Sequence, residues 1–334
     1  MSQTDLDNWL QDKVDRSLAK SSRIHPLPSD ASNALYIKRE DELSSGVVGS
    51  KLRKYASLIP YLKRESYTDT ILIGGSNSNN LAGLVQILRE HRIDPWLFVR
   101  KSADTALKGN ALFIKMLCDD SQLIEIERAD WPHVVSIAQQ RVDSLRAAGK
   151  KAFLIPEGAL TPQSLPGSLT LPLDILENER EHFIEFTDLF IDSGSGASAI
   201  GLILGLALVD PQFDNRRIHI SLIAGSPEEF SQNLRQLGST LPFEIDQSKL
   251  SKNLHFLAPP SAKSFGSVNA TILETCRSIA RTEGILMDPV YSVKHYMAMK
   301  QRLPTLSSGA KSLFIYNGGA LGLCGFQEEI GLNL

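Results

Sequence analysis

A lysine follows a short glycine–serine turn and opens a basic, helix-like stretch. Lys51 comes after Gly49 and Ser50, and Arg53 and Lys54 follow it. A lysine that is shielded from water and close to other cations has a lowered pKa, which leaves its amine free to attack a carbonyl carbon. Most lysines are solvated surface charges, but positive charge at a helix start opposes the helix dipole. Lys51 is therefore the candidate nucleophile.

A run of small and polar residues, Gly74 to Asn80, follows an apolar segment at 69–73. An ordinary helix N-cap needs one or two polar residues, and this run is longer. Exposed amides and hydroxyls at a helix N-terminus bind anions such as an amino-acid carboxylate. We therefore expect Ser78, Asn79 and Asn80 to contact a substrate.

A second loop of small residues lies between an apolar run at 186–191 and a helix-like stretch; it comprises Gly194, Ser195, Gly196, Ala197 and Ser198. Such a loop lets several backbone N–H groups converge on a phosphate. It is not a Walker A loop, since no Gly-Lys-Ser/Thr follows. It fits a loose G-x-G-x-x-A dinucleotide pattern, but the next strand, ending at Gly225, lacks an acidic residue for a ribose. A reactive lysine and a phosphate cradle together predict pyridoxal 5′-phosphate.

Two segments near the C-terminus are weaker candidates. Tyr291 follows Asp288 and Pro289 and could act on a bound substrate, although such a tyrosine more often packs in a core. Asn317 follows an apolar strand and precedes two glycines. The carboxyl end of a strand is where α/β sheets bind ligands, so Asn317 is a candidate contact for the cofactor.

Composition narrows the class of protein. The chain has 334 residues, 42% of them hydrophobic, and a net charge of −3, which disfavours nucleic-acid and membrane-surface binding. Three cysteines without CxxC spacing favour a reducing compartment over a disulfide scaffold or a zinc site. No secretion signal is recognisable at Met1–Asp7, and the longest apolar run, 199–209, is too short for a bilayer. We expect a cytoplasmic protein without a metal.

Alternating apolar runs and amphipathic stretches predict an α/β fold with two open parallel-sheet domains and helices on both faces. Besides an extended run at 35–40, the predicted strands are 70–73, 95–99, 123–126, 152–155, 189–191, 219–223 and 312–316. The predicted helices are 51–64, 79–92, 133–148, 197–208, 227–237, 268–283 and 292–302. We interpret 156–172 as a junction and 246–267 as an irregular connection. The predicted smaller domain is 52–160, and residues 1–51 and 161–334 form the larger cofactor domain.

The order and spacing of these motifs resemble the pyridoxal-phosphate enzymes of the tryptophan synthase β-like superfamily, or fold type II. The chain is most similar to the branch containing 1-aminocyclopropane-1-carboxylate deaminase and D-cysteine desulfhydrase, from about Leu35 onward. Lys51 lies in a segment similar to the family's Gly-Asn-Lys-x-Arg-Lys, whose lysine binds the cofactor as an imine. Gly74–Asn80 resembles Gly-Gly-x-Gln-Ser-Asn-His/Gln, whose serine and asparagine contact substrate carboxylate and cofactor. Gly194–Ser198 resembles the phosphate cup, and Pro156–Gly158 the family's Pro-x-Gly-Gly.

The chain departs from the family pattern at several site positions. Asn77 replaces a glutamine, and Asn80 replaces a histidine or glutamine. Ser292 stands where the resemblance implies glutamate for opening a cyclopropane or threonine in the desulfhydrase, and Asn317 replaces a threonine. Without a glutamate at 292 we do not expect cyclopropane-ring opening. The resemblance also implies a homodimer.

These observations lead to a first hypothesis, a lyase or deaminase that acts on a small amino acid and releases a 2-oxo acid and ammonia, with sulfide if the substrate is cysteine. Lys51 would be the α-proton base, Ser78 would bind the carboxylate and Tyr291 would act on the leaving group. No acid obviously serves the cofactor's ring nitrogen, so Ser292 or Asn317 is expected to leave it unprotonated. The alternatives are a diverged, weakly active relative and an NAD-dependent oxidoreductase.

Overall fold

A computed structural model describes residues 1–32, 34–44, 49–102, 107–246 and 250–331. Its strands are β1 (Ile24–Pro26), β2 (Leu35–Arg39), β3 (Asp69–Gly75), β4 (Asp94–Arg100), β5 (Leu123–Ile126), β6 (Ala152–Ile155), β7 (Asp188–Ser193), β8 (Arg217–Leu222), β9 (Leu254–Leu257) and β10 (Ser312–Tyr316). Its helices are α1 (Gln3–Gln11), α2 (Lys51–Arg64), α3 (Asn79–Glu90), α4 (Asn110–Leu117), α5 (Val134–Ala147), α6 (Leu165–Ser168), α7 (Thr170–His182), α8 (Ala197–Val209), α9 (Pro227–Gly238), α10 (Ala270–Glu283), α11 (Ser292–Arg302) and α12 (Gln327–Gly331).

The larger sheet has the strand order β1-β2-β10-β7-β8-β9. The neighbours from β2 to β9 pair in parallel, as predicted, whereas β1 pairs with β2 antiparallel at the edge. Its central strand β10 is buried along its whole length, which is typical of a sheet covered on both faces. The first large core cluster packs helices α7 and α8 against this sheet.

The smaller sheet has the order β5-β4-β3-β6, and all its described pairs are parallel. Helix α5 packs against β3 and β6, while α3 packs against β3 and β4. The predicted α/β class with two parallel-sheet domains is confirmed. The domain boundaries at 51/52 and 160/161 stay a prediction.

Several elements differ from the sequence prediction. Strand β9 lies inside the region predicted to be irregular, 246–267, because a short and only half-buried edge strand gives a weak apolar pattern. Helix α7 begins inside the predicted junction, 156–172, with Pro172 in its first turn, where proline is tolerated. None of the described helices combines the length and apolarity needed to cross a membrane.

A buried ionic cluster fixes helix α2 to the larger sheet, and we call it the α2 anchor. Arg53 binds both carboxylate oxygens of Glu40, at 2.6 and 2.7 Å, and also contacts Asp174 of α7. Lys38 of β2 completes the anchor with a 2.6 Å contact to Asp174. Because Lys51 is the first residue of α2, the anchor determines where its backbone lies.

Candidate active site

The carboxyl ends of both sheets open onto one cleft of about 1320 Å³. Residues that follow β3, β4, β6, β7, β8 and β10 line it, as expected for parallel sheets, whose ligands bind beyond the strand ends. The residues predicted from sequence as site residues all line this cleft; they are Lys51, Ser78, Asn79, Asn80, Gly194, Ser195, Gly196, Ala197, Ser198, Tyr291 and Asn317.

Lys51 extends its amine into the cleft from the start of α2. Nowhere in the described parts of the chain does its Nζ find a hydrogen-bond or ion-pair partner. Burial lowers its pKa, against the opposing influence of the Asp192 and Asp288 carboxylates. A lysine in this state has an enlarged neutral fraction and an unoccupied lone pair, which are the requirements for reaction with an aldehyde.

The turn before Lys51 is held by close backbone contacts. Gly49 has φ +52°, and a Cβ placed there would lie 2.2 Å from the carbonyl oxygen of Asn317. The next amide, of Ser50, donates to that same oxygen at 3.0 Å. Glycine is therefore required at 49, and Lys51 is tied to the end of β10.

The loop after β3 forms one wall of the cleft. Ser78 caps helix α3, and its Oγ accepts from the N–H groups of Asn80 and Leu81 at 3.2 and 3.3 Å. Its hydroxyl proton therefore stays available to donate to a carboxylate. Helix α3 adds the partial positive charge of its N-terminus.

The two asparagines that begin α3 differ in the hydrogen-bonding groups that they leave free for a ligand. Asn79 accepts from the Asn110 amide at 2.6 Å, and its own Nδ2 approaches Gly319 beside the cleft. The Asn80 side-chain oxygen accepts from the Tyr55 hydroxyl at 3.0 Å and is buried in the smaller core. Asn80 therefore has its Nδ2 group free to donate to a ligand, while one lone pair of its Oδ1 is already used.

The glycine loop after β7 has the form of an anion cradle. Gly196 has φ +92° and precedes α8, a helix of 13 residues whose first N–H groups point back to the loop. Ser195 packs against Gly158, where an added Cβ would lie 2.0 Å from the Ser195 Oγ. The Ser198 hydroxyl lies 3.5 Å from that of Ser50, so the loop and the start of α2 meet.

A second lysine, which was not predicted from the sequence as a site residue, lies beside this cradle. Lys54 is buried and donates from Nζ to the carbonyl oxygen of Gly158. Burial, and then the nearby charge of Lys51, hold its pKa well below the usual value. Its position one helical turn after Lys51 is the signal in the sequence that could have revealed it.

Tyr291 covers the cleft from the larger sheet. Its ring lies against Gly194, where an added Cβ would be 3.0 Å from the Tyr291 Cε1, and it meets Phe265 edge-on at 5.9 Å. Burial raises the pKa of its phenol, and the charges of nearby carboxylates raise it further. Tyr291 is therefore a neutral phenol at physiological pH, able to donate a proton.

Two aspartates at the floor were not singled out from sequence. Asp192 ends β7 just before the glycine loop, and Asn317 donates to it at 2.8 Å. Asp288 caps the start of α11 and is almost fully buried. Asp192 could have been found from its place at the carboxyl end of a strand.

The residues fit a cofactor that carries an aldehyde and a phosphate. Lys51 supplies an unpartnered amine, and the glycine loop supplies a cradle at a helix N-terminus. The buried Oδ1 of Asn317 has no hydrogen-bond partner, which indicates a missing polar neighbour. Fold and site together define an α/β protein whose cleft fits a cofactor with an aldehyde and a phosphate.

Comparison with known proteins identifies that cofactor. The family model described as pyridoxal-phosphate dependent enzyme matches residues 18–318, and the chain belongs to this family. Its cofactor is pyridoxal phosphate, as predicted. A solved structure described as an ACC deaminase homologue superposes with a TM-score of 0.83 at 21% identity, covering 98% of this chain and 99% of that chain.

Two relatives of known name are similar over most of their length. A 1-aminocyclopropane-1-carboxylate deaminase from Variovorax paradoxus is 29% identical, over 85% of this chain and 86% of the relative. A bifunctional D-cysteine desulfhydrase/1-aminocyclopropane-1-carboxylate deaminase from Arabidopsis thaliana is 26% identical, over 86% of this chain and 73% of the relative. The predicted branch of the superfamily is thereby confirmed.

Proposed function

We propose that the chain is a desulfhydrase-like lyase or deaminase that acts on a small amino acid and releases a 2-oxo acid and ammonia. The observation that carries this proposal is the unpartnered amine of Lys51, placed between a carboxylate-binding wall and an anion cradle. Both kinds of named relative support the choice of reaction class. With cysteine as substrate, the third product is sulfide.

Each side chain has a role that its contacts support. Ser78 and the N-terminus of α3 bind the substrate carboxylate, and Asn79 and Asn80 offer amide groups beside it. The glycine loop from Gly194 to Ser198 holds the cofactor phosphate. Pyridoxal phosphate, when bound, supplies the electron sink for a carbanion at the substrate α-carbon.

Two side chains move protons. Lys51 accepts the α-proton at Nζ, because its lowered pKa makes the neutral amine accessible. Tyr291 donates its phenolic proton to the leaving group, since its raised pKa keeps it protonated. We favour thiol elimination over ring opening because position 292 is a serine, whose hydroxyl donates to Asp288 at 2.7 Å.

The experiment compares three substrates on the same preparation. The protein, reconstituted with pyridoxal phosphate, is given D-cysteine, L-cysteine or 1-aminocyclopropane-1-carboxylate, and 2-oxo acid, ammonia and sulfide are measured. We expect sulfide and 2-oxo acid from a cysteine enantiomer and none from the cyclopropane. Release of 2-oxo acid from the cyclopropane alone would replace the desulfhydrase proposal with a deaminase.

Lys51→Ala is the decisive variant, and Lys63→Ala is its matched control, because Lys63 is exposed in the last turn of the same helix. The visible band of the lysine-bound cofactor and the borohydride-labelled peptide should vanish in the first variant only. A labelled peptide elsewhere in the chain would refute the role of Lys51. A protein that binds the cofactor at Lys51 but consumes no amino acid would favour the second candidate, a diverged and weakly active relative.

The same proposal includes a homodimer in the cytoplasm. Light scattering of the reconstituted protein should give a mass twice that of the chain, and the monomer mass would contradict it.

A further inference from the structure

Carboxylates at the floor of the cleft lie close to the position of the reactive lysine. Asp192 and Asp288 line the same cleft as Lys51, and their carboxylates oppose the lowering of the Lys51 pKa by burial. Glu157, in contrast, follows β6 and is an exposed residue of the cleft lining. The two aspartates are therefore the candidates for contact with the ring of a cofactor bonded to Lys51.

Asp288 is already fully used within the protein. Its Oδ1 accepts from the backbone N–H groups of Val290 and Tyr291 at 2.9 and 2.8 Å. Its Oδ2 accepts from the backbone N–H and the hydroxyl of Ser292 at 3.1 and 2.7 Å. Four donors saturate a carboxylate, so Asp288 serves as the cap of α11.

The hydroxyl proton of Ser292 is already used in the hydrogen bond to Asp288. A serine hydroxyl carries one proton, and the acceptors around Ser292 Oγ are Asp288 Oδ2 and, at 3.3 Å, the carbonyl oxygen of Gly318. The side chain is 1% exposed and does not line the cleft. Ser292 therefore has no proton left to donate to an unprotonated ring nitrogen.

Asp192 has acceptor capacity left. Within the described ranges, its donors are the Asn317 side chain at 2.8 Å and its own backbone N–H. A carboxylate offers about four acceptor positions, so roughly two remain. Burial raises the pKa of this carboxyl, which means that a cationic partner would stabilise its ionised form.

Asn317 also presents a free hydrogen-bond acceptor. Its Nδ2 is used by Asp192, whereas its Oδ1 is buried without a partner in a side chain that is 6% exposed. An unpartnered buried carbonyl oxygen needs a donor. The floor of the cleft thus presents two acceptors, and an N–H group is what both would bind.

We propose that Asp192, held in place by Asn317, pairs with the ring nitrogen of pyridoxal phosphate and keeps it protonated. This reverses the expectation from sequence that a serine or an amide leaves the ring nitrogen neutral. A protonated ring withdraws more electron density from the substrate α-carbon, and so Asp192 tunes the cofactor electronically. The inference depends on the cofactor and on Lys51, and it is independent of the substrate.

The first test reads the proton directly. Wild-type protein is reconstituted with pyridoxal phosphate carrying ¹⁵N in the ring, and the ¹⁵N chemical shift is measured. We expect the shift of a pyridinium in the wild type and that of a neutral pyridine in Asp192→Asn. The control Glu157→Gln removes a carboxylate at the rim of the same cleft and should keep the pyridinium shift. A neutral pyridine in the wild type, or a pyridinium in Asp192→Asn, would overturn the proposal.

The second test is a binding cycle that uses the cofactor analogue with carbon in place of the ring nitrogen. Loss of one hydrogen bond to a charged group weakens binding by roughly 10- to 100-fold, so the wild type should prefer pyridoxal phosphate over the analogue by that factor. In Asp192→Asn the preference should fall to about twofold or less. Equal preference in the two proteins would contradict the pairing.

These outcomes are separable from those of the proposed function. If the ring nitrogen is neutral but a cysteine still yields 2-oxo acid and sulfide, the reaction stands and the role of Asp192 is wrong. If Asp192→Asn does not fold, the wild-type shift and its preference for pyridoxal phosphate still decide the question.

Discussion

Replacing Arg53 with methionine tests whether the α2 anchor stabilises the fold and orients Lys51. The guanidinium is 3% exposed and binds Glu40 through two parallel hydrogen bonds. It also contacts Asp174 and donates to the Thr170 hydroxyl at 3.2 Å. Methionine fills much of the same volume but supplies neither the charge nor the donors.

The magnitude follows from what the substitution leaves behind. Asp174 keeps Lys38 as a partner at 2.6 Å. Among the residues that the structure describes, the fully buried Glu40 keeps only the Ser22 hydroxyl as a hydrogen-bond donor, at 2.6 Å. Removing one partner of a buried pair leaves an uncompensated charge and costs about 3–5 kcal/mol of unfolding free energy. Arg53→Lys keeps the positive charge but cannot form the two parallel hydrogen bonds to Glu40. We therefore expect roughly half of that loss in unfolding free energy.

The assay is urea unfolding followed by circular dichroism, together with retention of pyridoxal phosphate during dialysis. Glu40→Gln combined with Arg53→Met removes both charges, so the double variant should recover at least about 2 kcal/mol relative to additive losses. We also expect Arg53→Met to lose cofactor faster than the wild type, since Lys51 begins the anchored helix.

A loss below about 1 kcal/mol in Arg53→Met would refute this reasoning, because that is the range of an exposed ion pair. Additive losses in the double variant would likewise show that Arg53 and Glu40 do not stabilise each other.

Two further substitutions test local features. His295 is fully buried beside Phe314 and Ser221, and burial lowers its pKa to about 3. In the folded protein His295 stays neutral between pH 6.5 and 3, whereas in the unfolded chain its imidazole takes up a proton. The free energy of unfolding is therefore unaffected by His295 above pH 6.5 and falls as the pH is lowered towards 3. Urea unfolding should show a loss of about 2 kcal/mol from pH 7 to pH 5, and His295→Gln should lack that component of the slope. Gly49→Ala should weaken cofactor retention about tenfold or more, since φ +52° and the Asn317 oxygen both oppose a Cβ. Gly331→Ala, whose Cβ would meet nothing within 4 Å and which lies outside the cleft lining, is the control, and equal retention in the two variants would contradict the strain argument.

The sequence predicted those elements that have a strong local pattern. Strands β5, β6 and β10 and helices α2 and α11 have the predicted bounds, because apolar periodicity and flanking breakers are local signals. The edge strands β1 and β9 were missed, since three or four partly buried residues carry little periodicity. Helix α4 was also missed; only two of its side chains are buried, so its apolar pattern does not show one covered face.

The site could be predicted in part for the same reason. Lys51 and the two loops were identified because each motif is continuous in sequence. The position of Asp192 at a strand end is visible in the sequence, but the pairing proposed for it is not, since it depends on Asn317, which lies 125 residues away. The contact of Lys54 with the carbonyl oxygen of Gly158, which follows β6, is likewise distant in sequence. The capping role of Asp288 could have been predicted from the sequence, because an aspartate shortly before a helix is a recognised N-cap signal.

At three positions where the chain departs from the family pattern, the replacing side chain forms a hydrogen bond with a nearby group. Asn317 donates to the carboxylate of Asp192, Ser292 donates to that of Asp288, and Asn80 accepts from the Tyr55 hydroxyl. Each replacement is thus matched by a group that uses its hydrogen-bonding capacity, which random loss of function would not maintain. A decayed site would instead leave buried polar atoms unpaired at each replaced position. The single unpaired oxygen among these three side chains, Asn317 Oδ1, lies in the cleft wall where a ligand can supply the donor. The pattern therefore favours an altered, working site over a degenerate one.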